Sequence, residues 1–441
     1  MQQQAPDASR TIKSPPSETD KLYSKVIWRL IPFLCLCYVF SYLDRINVSF
    51  AKLQMSSELG FSDTVYGFGA GIFFIAYFLF EVPSNMILLK VGPKRWIARI
   101  MISWGILTGI MAFTNSAMMF YVLRFLIGVS EAGFFPAIIL YLSSWFPSNR
   151  RGQIIALFMS AIPLSGILGG VVSGWILDTF NNVGGFGGWR WLFMLESIPT
   201  IIIGIWVLFY LDDHLSKAKW LTPEERATLQ ANIDAEQGSK THSSFGQMVS
   251  SRKVWLLASV FFCVCMGQFG LAFWMPSIIK ATGVVSSSKV GLLSAIPWVF
   301  GIIAMILVGR HSDATGERRW HYAIAAFISA LGLVFAGLWG GANTVLAVTG
   351  LTIMCMGLQC LPPIFWTFPT AMLSGVAAAA GIALINSIGN LAGFVSPYMV
   401  GWISDKTGST DLGLFIISAC LALGGLIVLI IGTNQPKPQS H

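Results

Sequence analysis

Charge is what this sequence has least of. Only 11% of its 441 residues are Asp, Glu, Lys or Arg, against about 25% in an ordinary soluble domain, which excludes a water-exposed globular enzyme. The five histidines, at positions 214, 242, 311, 321 and 441, lie outside the long apolar runs or at their ends. HExxH, GxSxG and GxxxxGK[ST] are absent as well, which removes the metalloprotease, serine-hydrolase and ATP-driven classes. The seven cysteines (35, 37, 263, 265, 355, 360 and 420) all sit inside apolar runs, and members of a close pair are two residues apart and share no helix face. Neither a disulfide framework nor a metal site is expected, and no cofactor. The 28 basic residues exceed the 20 acidic ones by eight, but they are too sparse and scattered for a phosphate-tracking surface, so nucleic acid is not a partner.

What the sequence has in quantity is uninterrupted apolar chain. From Tyr322 to Ser404 there are 83 consecutive residues without a formal charge, and a membrane-crossing helix needs roughly 20 mostly apolar residues. Splitting at polar and Gly/Pro-rich turns predicts spans near 28–49, 64–88, 96–114, 117–143, 153–177, 190–211, 254–279, 289–309, 321–340, 344–372, 376–404 and 412–432. The expected class is an all-α integral membrane protein with twelve transmembrane helices; a β-barrel would show short alternating segments instead. Residues 1–25, rich in Gln, Ser and Pro, read as a disordered cytoplasmic tail, and 433–441 as a second tail. Between a helical bundle over 26–211 and another over 252–432 lies a polar linker, 212–251. Within it Thr222-Pro223-Glu224-Glu225 has the form of a capping box with Pro at the first helical position. The amphipathic helix it opens is expected on the membrane face to about Gln237, followed by a flexible Gly238-Ser239-Lys240-Thr241.

Short basic loops stay in the cytoplasm. With both termini inside, inner segments hold 21 of the 28 Lys and Arg, and outer loops hold five, Lys52, Arg190, Lys280, Lys289 and Lys406. The expected location is the cell inner (plasma) membrane.

The chain also repeats. Gly92-Pro-Lys-Arg-Trp96 recurs as Gly316-Glu-Arg-Arg-Trp320, and Gly174-Trp-Ile-Leu-Asp178 as Gly401-Trp-Ile-Ser-Asp405, at offsets of 224 and 227. Two pseudo-symmetric six-helix halves follow, an architecture that places a transport site between them at mid-depth. Prolines fall in spans 1, 2, 4, 5, 6, 7, 8, 10 and 11 and are absent from 3, 9 and 12, so the bent helices should line the path and the unbroken ones support it.

Ser41-Tyr-Leu-Asp44-Arg45-Ile-Asn47, Tyr77 with Glu81-Val-Pro-Ser-Asn85, Arg124 with Gly128 and Glu131-Ala-Gly133, and Asn386-Ser-Ile-Gly389-Asn390 together resemble the anion:cation symporter branch of the major facilitator superfamily. That branch includes bacterial permeases for sugar acids, tartrate, phthalate and hydroxyphenylacetate. The resemblance implies the fold just derived, anion contacts at Tyr42 and Tyr77, and coupling carboxylates at Asp44 and Glu131. One departure is in the family's loop G-x-L-A-D-R-x-G-R-R: Leu89 stands at the Asp position of the first copy, while Asp313 keeps it in the second, so a gate latch would be one-sided.

Charges inside spans are costly and usually functional. All six, Asp44, Arg45, Glu81, Arg124, Glu131 and Glu196, lie in the first half. At 1.5 Å per residue, Asp44 and Arg124 come to nearly the same depth, and an Asp44–Arg124 pair is expected; Glu131, two turns beyond, has no assured cation. Asp44 and Glu131 are assigned to proton coupling and Arg45 to the substrate carboxylate, since a guanidinium offers a forked donor that stays charged. Glu81 and Glu196 read as packing or gate groups. Neutral candidates for substrate contact are Tyr42, Tyr77, Gln268 (224 residues after Asp44), Trp366, and Asn386 with Asn390, one turn apart on one face. The function expected is proton-coupled uptake of a small organic carboxylate by a monomer whose partners are the anion, protons and lipid. An exchanger or facilitator on the same fold, and a non-transporting receptor, are the alternatives.

Overall fold

The computed structural model describes residues 18–237, 251–372 and 376–431. The first half comprises α1 (Glu18–Leu59), α2 (Asp63–Val91), α3 (Pro93–Met111), α4 (Ala117–Glu131), α5 (Phe134–Ser143), α6 (Ser148–Met159), α7 (Ala161–Thr179) and α8 (Gly188–Tyr210). After α9 (Pro223–Gln237), the second half comprises α10 (Arg252–Ala281), α11 (Ser287–Thr315), α12 (Arg319–Trp339), α13 (Thr344–Phe365), α14 (Thr367–Met372), α15 (Val376–Thr407) and α16 (Asp411–Ile431). Ten helical runs are long and apolar enough to cross a membrane, three of them joined from two pieces: α4 with α5, α6 with α7, and α13 with α14. With α3, which opens on Pro93-Lys94-Arg95, and α15, they make the twelve expected spans.

Proline places two of the breaks. Pro136 has no N–H to bond the carbonyl of Ala132 four residues back, and that carbonyl instead accepts the Ser84 hydroxyl at 2.5 Å, itself held by the Trp96 indole N–H at 3.0 Å. The chain turns there through Gly133 at φ 89°, so Glu131 is left at the end of α4. Pro163 stands four residues after Met159, where α6 stops. The repeated loops also have a local reason: Gly92 and Gly316 take φ of 90° and 68°, and each precedes a helix whose first N–H groups meet a carboxylate, Asp213 for Lys94 and Glu317 for Trp320.

The outside of the bundle is apolar, with Leu79, Val82, Leu89, Phe209, Leu307, Leu331 and Ile430 among its exposed residues, the surface expected of a body dissolved in lipid. Three expectations change. The first helix begins at Glu18, within the segment read as a tail, while residues 1–17 and 238–250, including Gly238–Thr241, and 432–441 lie outside the described residues. Thr222 and Glu225 form the capping box, with N–H to side-chain bonds of 2.9 and 3.2 Å, but α9 turns its apolar stripe onto protein. It buries Leu229 and Ile233 against the first half, and Glu225 meets Lys25 of α1 at 2.8 Å. Lys52, assigned to an outer loop, is inside α1, buried and paired with Asp63 at 2.8 Å.

The two halves meet through α2 against α15, α7 against α11, and α1 against α10. Contact is tightest on the side away from the termini. There the Asp178 carboxylate takes the N–H groups of Ser287 and Ser288 at 2.9 and 2.8 Å, and its repeat counterpart Asp405 takes those of Asp63 and Thr64 at 3.0 and 2.8 Å. The second repeat is thus a pair of carboxylates capping the opposite half's helices. Each carboxylate, by accepting two backbone N–H groups of the opposite half, ties this side shut. Beside this clasp Gly170 and Gly291 touch backbone to backbone, leaving no room for a side chain on either. Gly291→Val is therefore expected to wedge the halves apart and raise far-side labelling of a cysteine placed at Ser287 several-fold; unchanged labelling would show that this contact does not hold the side closed.

Candidate functional site

With the far side closed, a cavity of about 640 Å³ opens between the halves toward the side of the termini, within the range of small-molecule sites. The first half contributes a face of α1 defined by helical spacing: Ser41 and Arg45 are four residues apart and point the same way. Arg45 forms an ion pair with Glu131, and the Ser41 hydroxyl donates to the same Glu131 Oε1 at 3.1 Å. Glu131 is buried, at 1% side-chain exposure, and Arg45 is partly buried, at 15%, where an ion pair depends on tight geometry and further hydrogen bonds. Around the guanidinium stand the rings of Phe73, Tyr77, Tyr42 and Phe74, with centroids 5.3, 5.9, 6.0 and 6.0 Å away, a setting that favours a cation.

From the second half, Asn386, Asn390 and Trp366 line the same cavity, the Trp366 ring 4.9 Å from that of Phe261. Arg45, Tyr77, Asn386, Asn390 and Trp366 are therefore brought together. Tyr42 and Gln268 are not on the cavity wall. They face each other where the halves pack, Tyr42 against Ile46 and Ala272, and neither the Tyr42 hydroxyl nor Gln268 Oε1 has a hydrogen-bond partner. The wall also carries residues the sequence reading did not select for contact, among them Glu81, Asn85, Arg151 and Phe261.

The expected Asp44–Arg124 pair does not form. Arg124 is buried against α2, donating to the carbonyls of Gly69 and Ala70 at 3.3 and 3.2 Å, with its guanidinium 5.0 Å from the Phe73 ring centre. Asp44 points away from the cavity into the first half, where its Oδ2 accepts the Trp104 indole N–H at 2.6 Å and the Thr200 hydroxyl at 2.8 Å. Glu131, which had no assured cation, pairs with Arg45 and not with Arg124. Asp313 is on the terminal surface, 70% exposed and paired with Arg318 at 2.5 Å, far from the cavity wall. Among the described residues no His/Cys/Asp/Glu group is arranged to hold a metal ion.

The sequence matches the model of the Major Facilitator Superfamily over residues 34–397. A protein of Agrobacterium vitis named as a tartrate transporter is 49% identical over 420 residues, 95% of this chain and 92% of its own. A Pseudomonas putida protein named as the metabolite transport protein NicT is 44% identical, covering 94% and 95% of the two chains. Among solved structures, the partially occluded inward-open xylose transporter XylE from E. coli superposes with a TM-score of 0.72 at 14% identity, over 95% of this chain and 99% of that one. At that identity the likeness is one of fold.

Proposed function

The chain belongs to the major facilitator superfamily and is a multi-pass secondary transporter, and from that premise we propose that it takes up a small organic carboxylate together with a proton, across the cell inner membrane, with both termini cytoplasmic. The observation that carries this reading is the Arg45–Glu131 pair at the cavity. A guanidinium already holding one carboxylate in an aromatic surround can hold another in its place, because the forked donor suits any carboxylate. Protonation of Glu131 removes the competitor. Anion and proton then favour each other's binding, and linkage makes the effect reciprocal.

Asn386 and Asn390, one turn apart on α15, supply amide donors and acceptors that suit hydroxyl groups on the anion. Hydroxylated acids such as tartrate, named for the Agrobacterium relative, are the first candidates; Trp366 and Phe261 offer a stacking surface for an aromatic acid instead. The halves would rock about this site, releasing the Asp178 and Asp405 clasps to open the far side. A thermal-shift panel of tartrate, gluconate, phthalate and hydroxyphenylacetate on purified protein tests the substrate class. Stabilisation confined to carboxylates supports it, and equal stabilisation by the corresponding neutral amides contradicts it.

A further inference from the structure

Behind the cavity wall, on another face of α1, lies a second acidic site that the anion does not reach. Asp44 and Asn47 are three residues apart on that face, and Glu196 and Thr200 four apart on α8. Thr200 donates to Asp44 at 2.8 Å, which sets the register of the two helices, so Glu196 lies one turn nearer the far side. There Glu196 Oε1 accepts the Ser173 hydroxyl from α7 at 2.9 Å, with Asn47 alongside. Asp44, Asn47 and Glu196 are 3%, 1% and 5% exposed. Asp44 Oδ1, Glu196 Oε2 and both amide atoms of Asn47 lack hydrogen-bond partners.

The charges around this site are all accounted for among the described residues. From α1, Asp44 is the titratable group that Glu196 senses. Asp44 senses Glu131 at longer range, and that carboxylate is held by Arg45. The α3 and α7 helices contribute Trp104 and Ser173, which do not titrate. No Lys or Arg pairs with either carboxyl, and two buried neighbouring carboxylates without a cation do not both stay ionised.

We propose that Glu196 is a second proton-carrying carboxyl of this transporter, joined to Asp44 in a pair that shares a proton and receives it from the far side. In the transfer an O–H bond breaks on Glu196 and forms on Asp44, leaving Glu196 as a carboxylate held by Ser173; once Asp44 has released that proton, Glu196 takes the next from hydronium in far-side water. Asn47, unpaired in both directions, is placed to bridge the two. Asp44 adjoins Arg45 in sequence, so the charge of the pair acts on the cavity through α1 itself.

The inference rests on the proton-coupled reading above, and the test separates the two. Infrared difference spectra of purified protein titrated in pH should show a protonated-carboxyl band that Glu196→Gln removes or splits. In liposomes, Glu196→Gln should lower pH-driven tartrate accumulation at least tenfold while tartrate exchange stays within about twofold, and Glu196→Asp should restore the pH profile. Thr200→Val keeps both carboxyls and should shift the band's titration midpoint, which covers a Glu196→Gln protein that does not fold. An unaltered band in either variant, or a wild-type pH profile in Glu196→Gln, overturns the assignment. Wild-type uptake indifferent to the pH gradient would overturn the coupled reading instead, and the infrared band would still report whether the pair carries a proton.

Discussion

Glu131→Gln is expected to end concentrative uptake while leaving the anion site intact. An anion of single charge carried with one proton is concentrated about tenfold by one unit of pH difference, since each pH unit is about 1.4 kcal/mol per proton. With Gln at 131 that ratio should fall to one. The amide cannot exchange a proton, yet it fits the same space and can accept from Ser41 as the carboxylate does at 3.1 Å. Binding should survive and lose its pH dependence: wild-type affinity should fall by up to tenfold per pH unit where Glu131 ionises and reclaims Arg45, whereas the variant's affinity should stay flat. Equilibrium binding of labelled tartrate across pH 5–9 (about four units, each about 1.4 kcal/mol) checks this together with liposome uptake. Undiminished accumulation by the variant would remove Glu131 from the coupling step.

The second large effect belongs to Arg45. Truncating one partner of a buried, hydrogen-bonded charge pair costs about 2–5 kcal/mol, so Arg45→Ala should weaken anion binding by about thirtyfold or more. Arg45→Lys keeps the charge but loses the fork, and an intermediate loss of about tenfold is expected. Because Arg45→Ala alone leaves Glu131 buried without its cation, a cost that falls on folding, the cleaner background is Glu131→Gln. In that double variant the fold should be retained and binding still lost. If it bound tartrate as Glu131→Gln does, the anion would be held elsewhere.

Much of the fold could be read from one-dimensional patterns because membrane burial leaves a coarse signature. Uncharged runs marked the spans, the two repeats marked the halves, and Thr222 with Glu225 marked the start of α9. The docking of α9 was not legible: Leu229 and Ile233 are an apolar stripe that suits either a membrane surface or a protein groove, and only the three-dimensional position of α1 decides. At the site, residue counting supplied an expected depth for each charge, but depth is one coordinate. Asp44 and Arg124, expected at nearly the same depth, face different neighbours, and the missing quantity was the rotation of each helix about its axis.

Part of that rotation was present in the spacing. Ser41 and Arg45 lie four apart and both meet Glu131, while Asp44 and Asn47 lie three apart on another face. Adjacent charges at 44 and 45 are about 100° apart around a helix, so they could never have served one ligand in the same way. Trp104 offered a second clue, since a buried indole N–H needs an acceptor, and it finds Asp44. That Arg124 would be satisfied by the carbonyls of Gly69 and Ala70 depends on how closely α4 approaches α2, where Gly128 leaves no space for a side chain beneath the Phe73 carbonyl.

The central claim is that the anion replaces the Glu131 carboxylate on Arg45 while a proton neutralises the displaced Glu131, so that anion and proton bind together at a single ion pair. It is tested most directly by counting protons as tartrate is added to purified protein in lightly buffered solution with a pH-indicating dye. The account predicts net proton uptake approaching one per anion bound at a pH where Glu131 is ionised, and none for Glu131→Gln. Saturable tartrate binding with no proton uptake by the wild-type protein would contradict it.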